Sequence, residues 1–215
     1  MENVFFKPWV GKSYNQGYLG KQILVLGESH YCGHCKENNQ CGDLSINDDA
    51  CRNFTTNTIK SFLNYQKGEE AHCRWMNTNT KFTNVFHNEK VNVETMLQFW
   101  DSIIFYNYVQ FGTDGPRISP KKSEFSESEK AFFEVLKEYK PDIVIVWGKR
   151  LWDKLPNSIA NVDFHTLRNA DEKFYFSDKA GKKIQVYVIY HPSIGYFNYG
   201  CHDYLKKALR LSECR

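Results

Sequence analysis

Four apolar runs of strand length each end on a short polar motif, and this repetition organises the chain. Residues 22–26 lead into Gly27-Glu28-Ser29-His30-Tyr31, 103–106 into Asn107, Ile143–Trp147 into Gly148, and 186–190 into His191-Pro192-Ser193. Segments with helical spacing lie between them. Residues 54–65 set Ile59, Phe62 and Leu63 on one face; 93–100 and 149–155 are shorter, and a stretch with Phe132, Phe133, Val135 and Leu136 ends before Pro141. Strands alternating with helices pair in parallel, and an open parallel sheet binds ligands beyond the carboxyl ends of its strands. The pattern therefore predicts an α/β fold in which a carboxylate, an amide and an imidazole meet in one crevice.

The remaining segments read less sharply. The first twenty residues, with Phe5, Phe6, Trp9, Tyr14 and Tyr18, form an irregular arm that packs aromatics onto the body. Residues 66–91 are polar and poorly periodic and read as loop, as do 112–125, where Gly115-Pro116 and Ser119-Pro120 act as breakers. Ser126 and Glu129 have the spacing of a capping box. Residues 174–177 and 183–190 read as a hairpin feeding the last strand, and 202–212 as an amphipathic closing helix.

At 215 residues the chain fits one domain, spanning 1–215, with a cysteine-bearing insertion at about 32–53. No apolar run reaches membrane-spanning length, and the start, Met1-Glu2-Asn3, lacks the basic and apolar parts of a secretory signal. A cytoplasmic monomer with no membrane partner is the expected state. The formal charge of +3 announces no polyanion partner by itself, though a local basic face can hide in such an average. Aromatics at 16% suit a ring-rich core better than a stacking surface.

Taken in order, the polar motifs resemble those of the uracil-DNA glycosylase superfamily. Gly27-Glu28-Ser29-His30-Tyr31 stands where that family has GQDPY in one branch and GEAPG in another. Arg52-Asn53-Phe54 is similar to its RPF segment, and Asn107 to its base-reading asparagine. Arg117-Ile118-Ser119-Pro120 with Glu124 resembles R-x-P-T-x-x-E, residues 140–148 a strand ending in LLWG, and His191-Pro192-Ser193 the start of HPSPLS. The chain departs from the family at Ser29, where GQDPY has an aspartate, at His30, where it has proline, and after Ser193. The resemblance implies a three-layer α/β/α domain with a central four-stranded parallel sheet. It also implies a DNA-repair hydrolase, a glycosidase that flips a uracil or related damaged base out of DNA and cuts its N-glycosidic bond. Cutting that bond puts positive charge on the sugar and negative charge on the base. Glu28 would orient water and steady the sugar cation, and His191 would steady the departing anion. Asn107 would read the pyrimidine edge, Tyr31 would crowd the 5-position, Phe54 would stack on the base, and Ser193 would complete the substrate contacts. Ile194, Tyr196 and Phe197 share candidacy for the intercalating wedge.

Each residue has a plainer reading beside this one. Glu28 can cap a turn, Asn107 can make an Asx-turn, and His191 can simply end a strand. Lys149 and Arg150, just past the third strand, read as solvated helix residues, with contact to phosphate as the alternative. Two other functions compete with base release from DNA: a catalytically silent nucleic-acid-binding protein of the same fold, and a hydrolase of small nucleosides or nucleotides.

Cys32-x2-Cys35-x5-Cys41-x9-Cys51 adds a metal-site candidate in the insertion, with His34, His72 and Cys73 as further potential ligands. Thiolates gather around soft metals, so zinc is expected ahead of an iron–sulfur cluster, against a rival reading as reduced thiols. The glycosidic chemistry itself has no need of the metal.

Overall fold

Each of the four apolar runs supplies a strand, three of them buried throughout and the last in part. The computed structural model describes residues 1–31, 42–45, 48–113, 115, 118–156, 167–169, 172–176, 182–195, 197–198, 201–202 and 205–206. The strands are β1 (Trp9–Val10), β2 (Ile23–Gly27), β3 (His30–Tyr31), β4 (Ile103–Asn107), β5 (Gly112–Thr113), β6 (Ile143–Trp147), β7 (Leu167–Asn169), β8 (Glu172–Phe176) and β9 (Lys183–Ile189). The helices are α1 (Asp49–Arg52), α2 (Phe54–Lys67), α3 (Met76–His87), α4 (Val93–Asp101), α5 (Lys122–Glu127), α6 (Glu129–Tyr139) and α7 (Lys149–Lys154).

The main sheet runs β1-β4-β2-β6-β9-β8-β7. Its centre, β4-β2-β6-β9, is parallel, with β1 antiparallel at one edge and the β8–β7 pair antiparallel at the other. The expected four parallel strands are therefore the middle of a seven-stranded sheet. β1 lies inside the N-terminal segment expected to be irregular, because Trp9 and Val10 pair with Phe105 and Ile104. The hairpin expected before the last strand is β8–β9, its turn lying outside the described residues.

Side-chain alternation sends each central strand into two cores. Leu24, Leu26, Ile104, Tyr106, Val144, Val146, Ile184 and Val186 pack with α6 and α7, whereas Ile23, Val25, Ile103, Phe105, Ile143, Ile145, Trp147, Tyr187 and Ile189 pack with α2, α3 and α4. β2, β4 and β6 are buried on both faces and have the near-continuous apolar composition this needs, whereas β9 alternates, with Lys183, Gln185 and Val188 only partly buried. The chain leaves β2 for β4 over one face and returns past β2 to β6 over the other. The strand order thus reverses beside the carboxyl end of β2, where such sheets open a crevice.

Three sequence expectations are corrected. Residues 76–87, read as loop, form α3, whose buried side includes Asn79 and Thr83 beside Met76, Phe82, Val85 and Phe86. The segment 112–125 contributes β5 and the start of α5. The capping box at Ser126 and Glu129 does not form, because the helix begins earlier: Glu124 accepts the Lys121 N–H at 2.8 Å, and Ser128 precedes α6. Most of the closing helix expected over 202–212 lies outside the described residues.

Candidate active site

The registers of the central strands bring the polar tips together. Gly27 pairs with Asn107, and Trp147 pairs with Ile189, two residues before His191. A cleft of about 1760 Å³ opens over these strand ends, with Glu28, Tyr31, Phe54, Asn107, His191 and Ser193 all on its wall. The six candidate catalytic and substrate-binding residues thus share one cavity. Its charged lining among the described residues is Arg74, Lys81, Lys149 and Arg150 against Glu28, four cations to one carboxylate. The modest overall charge conceals this basic cleft.

Glu28 follows β2 directly, and both its oxygens are taken by Arg150 from α7. Arg150 Nε donates to Oε2 at 2.7 Å, and Nη2 donates to Oε1. The Glu28 side chain is 12% exposed and the Arg150 side chain 52%, so the carboxylate sits in the floor and the arginine at the rim. The hydrogen bond to Glu28 holds the Arg150 pKa above its ordinary value. Arg150, read from the sequence as a solvated helix residue with phosphate contact as its alternative, stands instead against Glu28, a pairing that sequence reasoning missed. The signal was available, since parallel pairing of β2 and β6 sets the residues just beyond their ends side by side.

His191 follows β9, with Trp147 edge-on to it at 5.8 Å between ring centroids. Gly148, with φ +100°, turns the chain away after β6 in a conformation that favours glycine, and a Cβ there would make ordinary contact with His191. Burial lowers the His191 pKa below 6.5, Glu28 pulls it up and Arg150 pulls it down. Its Nδ1 accepts the Ser193 N–H at 3.2 Å and lies 2.8 Å from Ser193 Oγ. In the neutral ring this leaves the proton on Nε2, which makes that atom a donor.

Asn107 is buried at the end of β4, and its Oδ1 packs where a side chain on Gly27 would stand, so any larger residue there would displace the amide. Its Nδ2 lies 3.0 and 3.1 Å from the two ring nitrogens of His30. A position nearly equidistant from both, if it lay in the ring plane, would collide with Cε1, so the amide rests against the imidazole face. His30 is itself fixed by Thr55 Oγ1 at 2.7 Å from Nε2 and by the edges of Phe6 and Phe54. Burial holds its pKa down at about 3, so the ring is neutral. Gln110 secures the strand end from behind, accepting the Phe5 and Phe6 N–H groups at 2.9 Å and donating to the Asn107 carbonyl at 2.9 Å.

Phe54 opens α2 and shows a half-buried ring to the cleft, whereas Tyr31 is exposed at its mouth. Of the wedge candidates, Phe197 is fully buried in the core beneath α3 and is ruled out as a projecting group. Ile194 is exposed on the cleft wall, and Tyr196 lies outside the described residues. Lys81 of α3 ties this loop down, donating to the Ile194 carbonyl at 2.7 Å and lying 5.8 Å from the centre of the Phe197 ring. Glu124 works as a helix cap rather than in the cleft, and Arg117 lies outside the described residues.

Cys32, Cys35, Cys41 and His34 also lie outside the described residues. Cys51 is on α1, packed beside the Phe5–Phe6 pair. Among the described residues, no three His, Cys, Asp or Glu side chains converge as a metal site, and no helix is long and apolar enough to cross a membrane. No protein-family model matches the chain, and no curated protein matches it with significance.

Proposed function

We propose that this protein is a divergent relative of the uracil-DNA glycosylases that hydrolyses the N-glycosidic bond of uracil or a related damaged base in DNA. The observation that carries the reading is the convergence of Glu28, Asn107 and His191 at neighbouring strand ends in one cationic cleft. In this reading a flipped pyrimidine enters against Phe54, with Asn107 at its edge. His191 donates from Nε2 to the carbonyl oxygen on which negative charge grows, and Glu28 orients water and steadies the cationic sugar. Tyr31 meets the nucleotide at the mouth, Ser193 keeps the histidine in its donor form, and Ile194 is the exposed wedge candidate among the described residues. A zinc ion held by Cys32, Cys35, Cys41 and Cys51 would brace the insertion and take no part in these steps.

The size and charge of the cleft favour a polymer over a free nucleoside. Pockets for small ligands are roughly 300–1,000 Å³; this cleft is larger and lined by Arg74, Lys81, Lys149 and Arg150, the last two paired with Asp153 and Glu28. A second reading, binding of nucleic acid without turnover, draws on the ion pair that occupies Glu28. Incubation with oligonucleotides containing uracil, hypoxanthine or a thymine mismatch, followed by alkali, separates the two. Strand scission is the expected result; salt-sensitive binding with no scission from any substrate selects the silent binder.

A further inference from the structure

The ion pair between Glu28 and Arg150 conflicts with the task proposed for Glu28. A carboxylate gripped on both oxygens by a guanidinium offers little net negative charge to a forming sugar cation. Yet the two partners are unequally held. Glu28 is in the floor of the cleft, while Arg150 is half exposed at its rim, so the arginine can leave without uncovering the core. Its fork of N–H donors fits two phosphate oxygens as well as it fits a carboxylate. Lys149 beside it is held by Asp153 at 3.0 Å.

We propose that Arg150 exchanges Glu28 for a backbone phosphate of the bound strand, so that the carboxylate gains its free charge only once a phosphate-bearing substrate is seated. Arg150 is then a specificity-determining residue. A nucleoside without phosphate would fill the pocket and leave Glu28 neutralised. The catalytic consequence rests on the glycosylase reading, whereas the exchange itself does not. His191 reports on it, because it senses Glu28 and Arg150 with opposite signs. Withdrawal of the arginine to a phosphate should raise the histidine's titration midpoint.

The test measures binding of a short uracil-containing single strand to the full chain across a salt series. One phosphate contact to a single strand contributes about 0.7 to the slope of log affinity on log salt. Arg150→Ala should flatten the slope by that amount, and Arg150→Lys should retain it and control for folding. A neutral methylphosphonate beside the uridine should flatten the wild-type slope equally and leave that of Arg150→Ala unchanged. Glu28→Gln, which frees the arginine in advance, should tighten binding, and the gain should shrink in the double variant with Arg150→Ala. By NMR, the His191 midpoint should rise when the oligonucleotide binds and should already be raised in free Arg150→Ala. An unchanged slope in Arg150→Ala, additive losses from variant and methylphosphonate, or a His191 midpoint that the bound oligonucleotide leaves unraised would each overturn the exchange. Base release is scored separately. Its absence from wild type while the exchange signatures hold removes the glycosylase reading alone, and its presence without them removes the exchange alone.

Discussion

His30 sits in the first polar motif, yet it behaves as a core residue. It is buried among Phe6, Phe54, Thr55 and Asn107, and its pKa is driven down from 6.5 to about 3. The sign of its effect on stability follows directly. Between those values the unfolded chain carries a proton that the folded chain refuses, so stability rises with pH through this window and is lost as pH falls from 6.5 toward 3. The slope is up to about 1.4 kcal/mol per pH unit for one group. His30→Gln keeps a partner for Thr55 but cannot protonate. It should cost about 1–3 kcal/mol at neutral pH, and that deficit relative to wild type should shrink steadily in urea titrations from pH 7 to pH 4. A deficit constant with pH would show that His30 is not the buried neutral group described. The sequence marked residue 30 as a departure from a motif, but alternation past the end of a strand gives no signal of burial.

At the scale of elements, legibility tracked how purely each segment used apolar residues. Ile143–Trp147 was readable to the residue, since both faces of that strand are buried and five apolar residues in succession say so. The α3 helix was not. Its sequence is rich in Asn and Thr, which favour helices weakly, and two of its buried positions are polar. Thr83 pairs with the Trp100 indole at 3.0 Å and with the Asn79 carbonyl at 3.0 Å, so it counts as core in space but as loop in a hydropathy pattern. The missed helix is the one that carries Lys81, which tethers the loop after His191. Lys81→Met preserves the stem and removes the tether. It should lower the rate at saturating oligonucleotide by about ten- to a hundredfold through misplacement of the histidine, with little change in melting temperature and recovery in Lys81→Arg. A full rate in Lys81→Met would mean that the loop holds itself. The insertion has its own test: protein purified without chelator should carry about one zinc per chain, lost with Cys32→Ser. Folded protein with no metal would leave those cysteines as thiols.

Across the whole molecule, the sheet order explains why residues so distant in sequence lie together. Reversal of the winding beside β2 sets the ends of β4, β2, β6 and β9 in a row, so residues near 28, 107, 150 and 191 become neighbours with no local sequence signal linking them. Backbone contacts from the cationic rim should carry affinity, while the floor carries chemistry, and this separation yields the decisive experiment. His191→Ala should remove one donor to the leaving base and slow release by ~10²–10³, with oligonucleotide affinity little changed because phosphate contacts dominate it. Glu28→Ala should slow release comparably, since Ser29 beside it cannot supply a negative charge. Asn107→Ala should instead narrow the preference for uracil over cytosine, because the amide that distinguishes their edges is gone. The two edges differ in which atom donates, so the loss should appear as a changed ratio of kcat/KM values rather than as a uniform fall. If Glu28→Ala releases base at the wild-type rate, the carboxylate assignment fails while the enzyme survives. If His191→Ala and Asn107→Ala change affinity and nothing else, the cleft binds nucleic acid without acting on it.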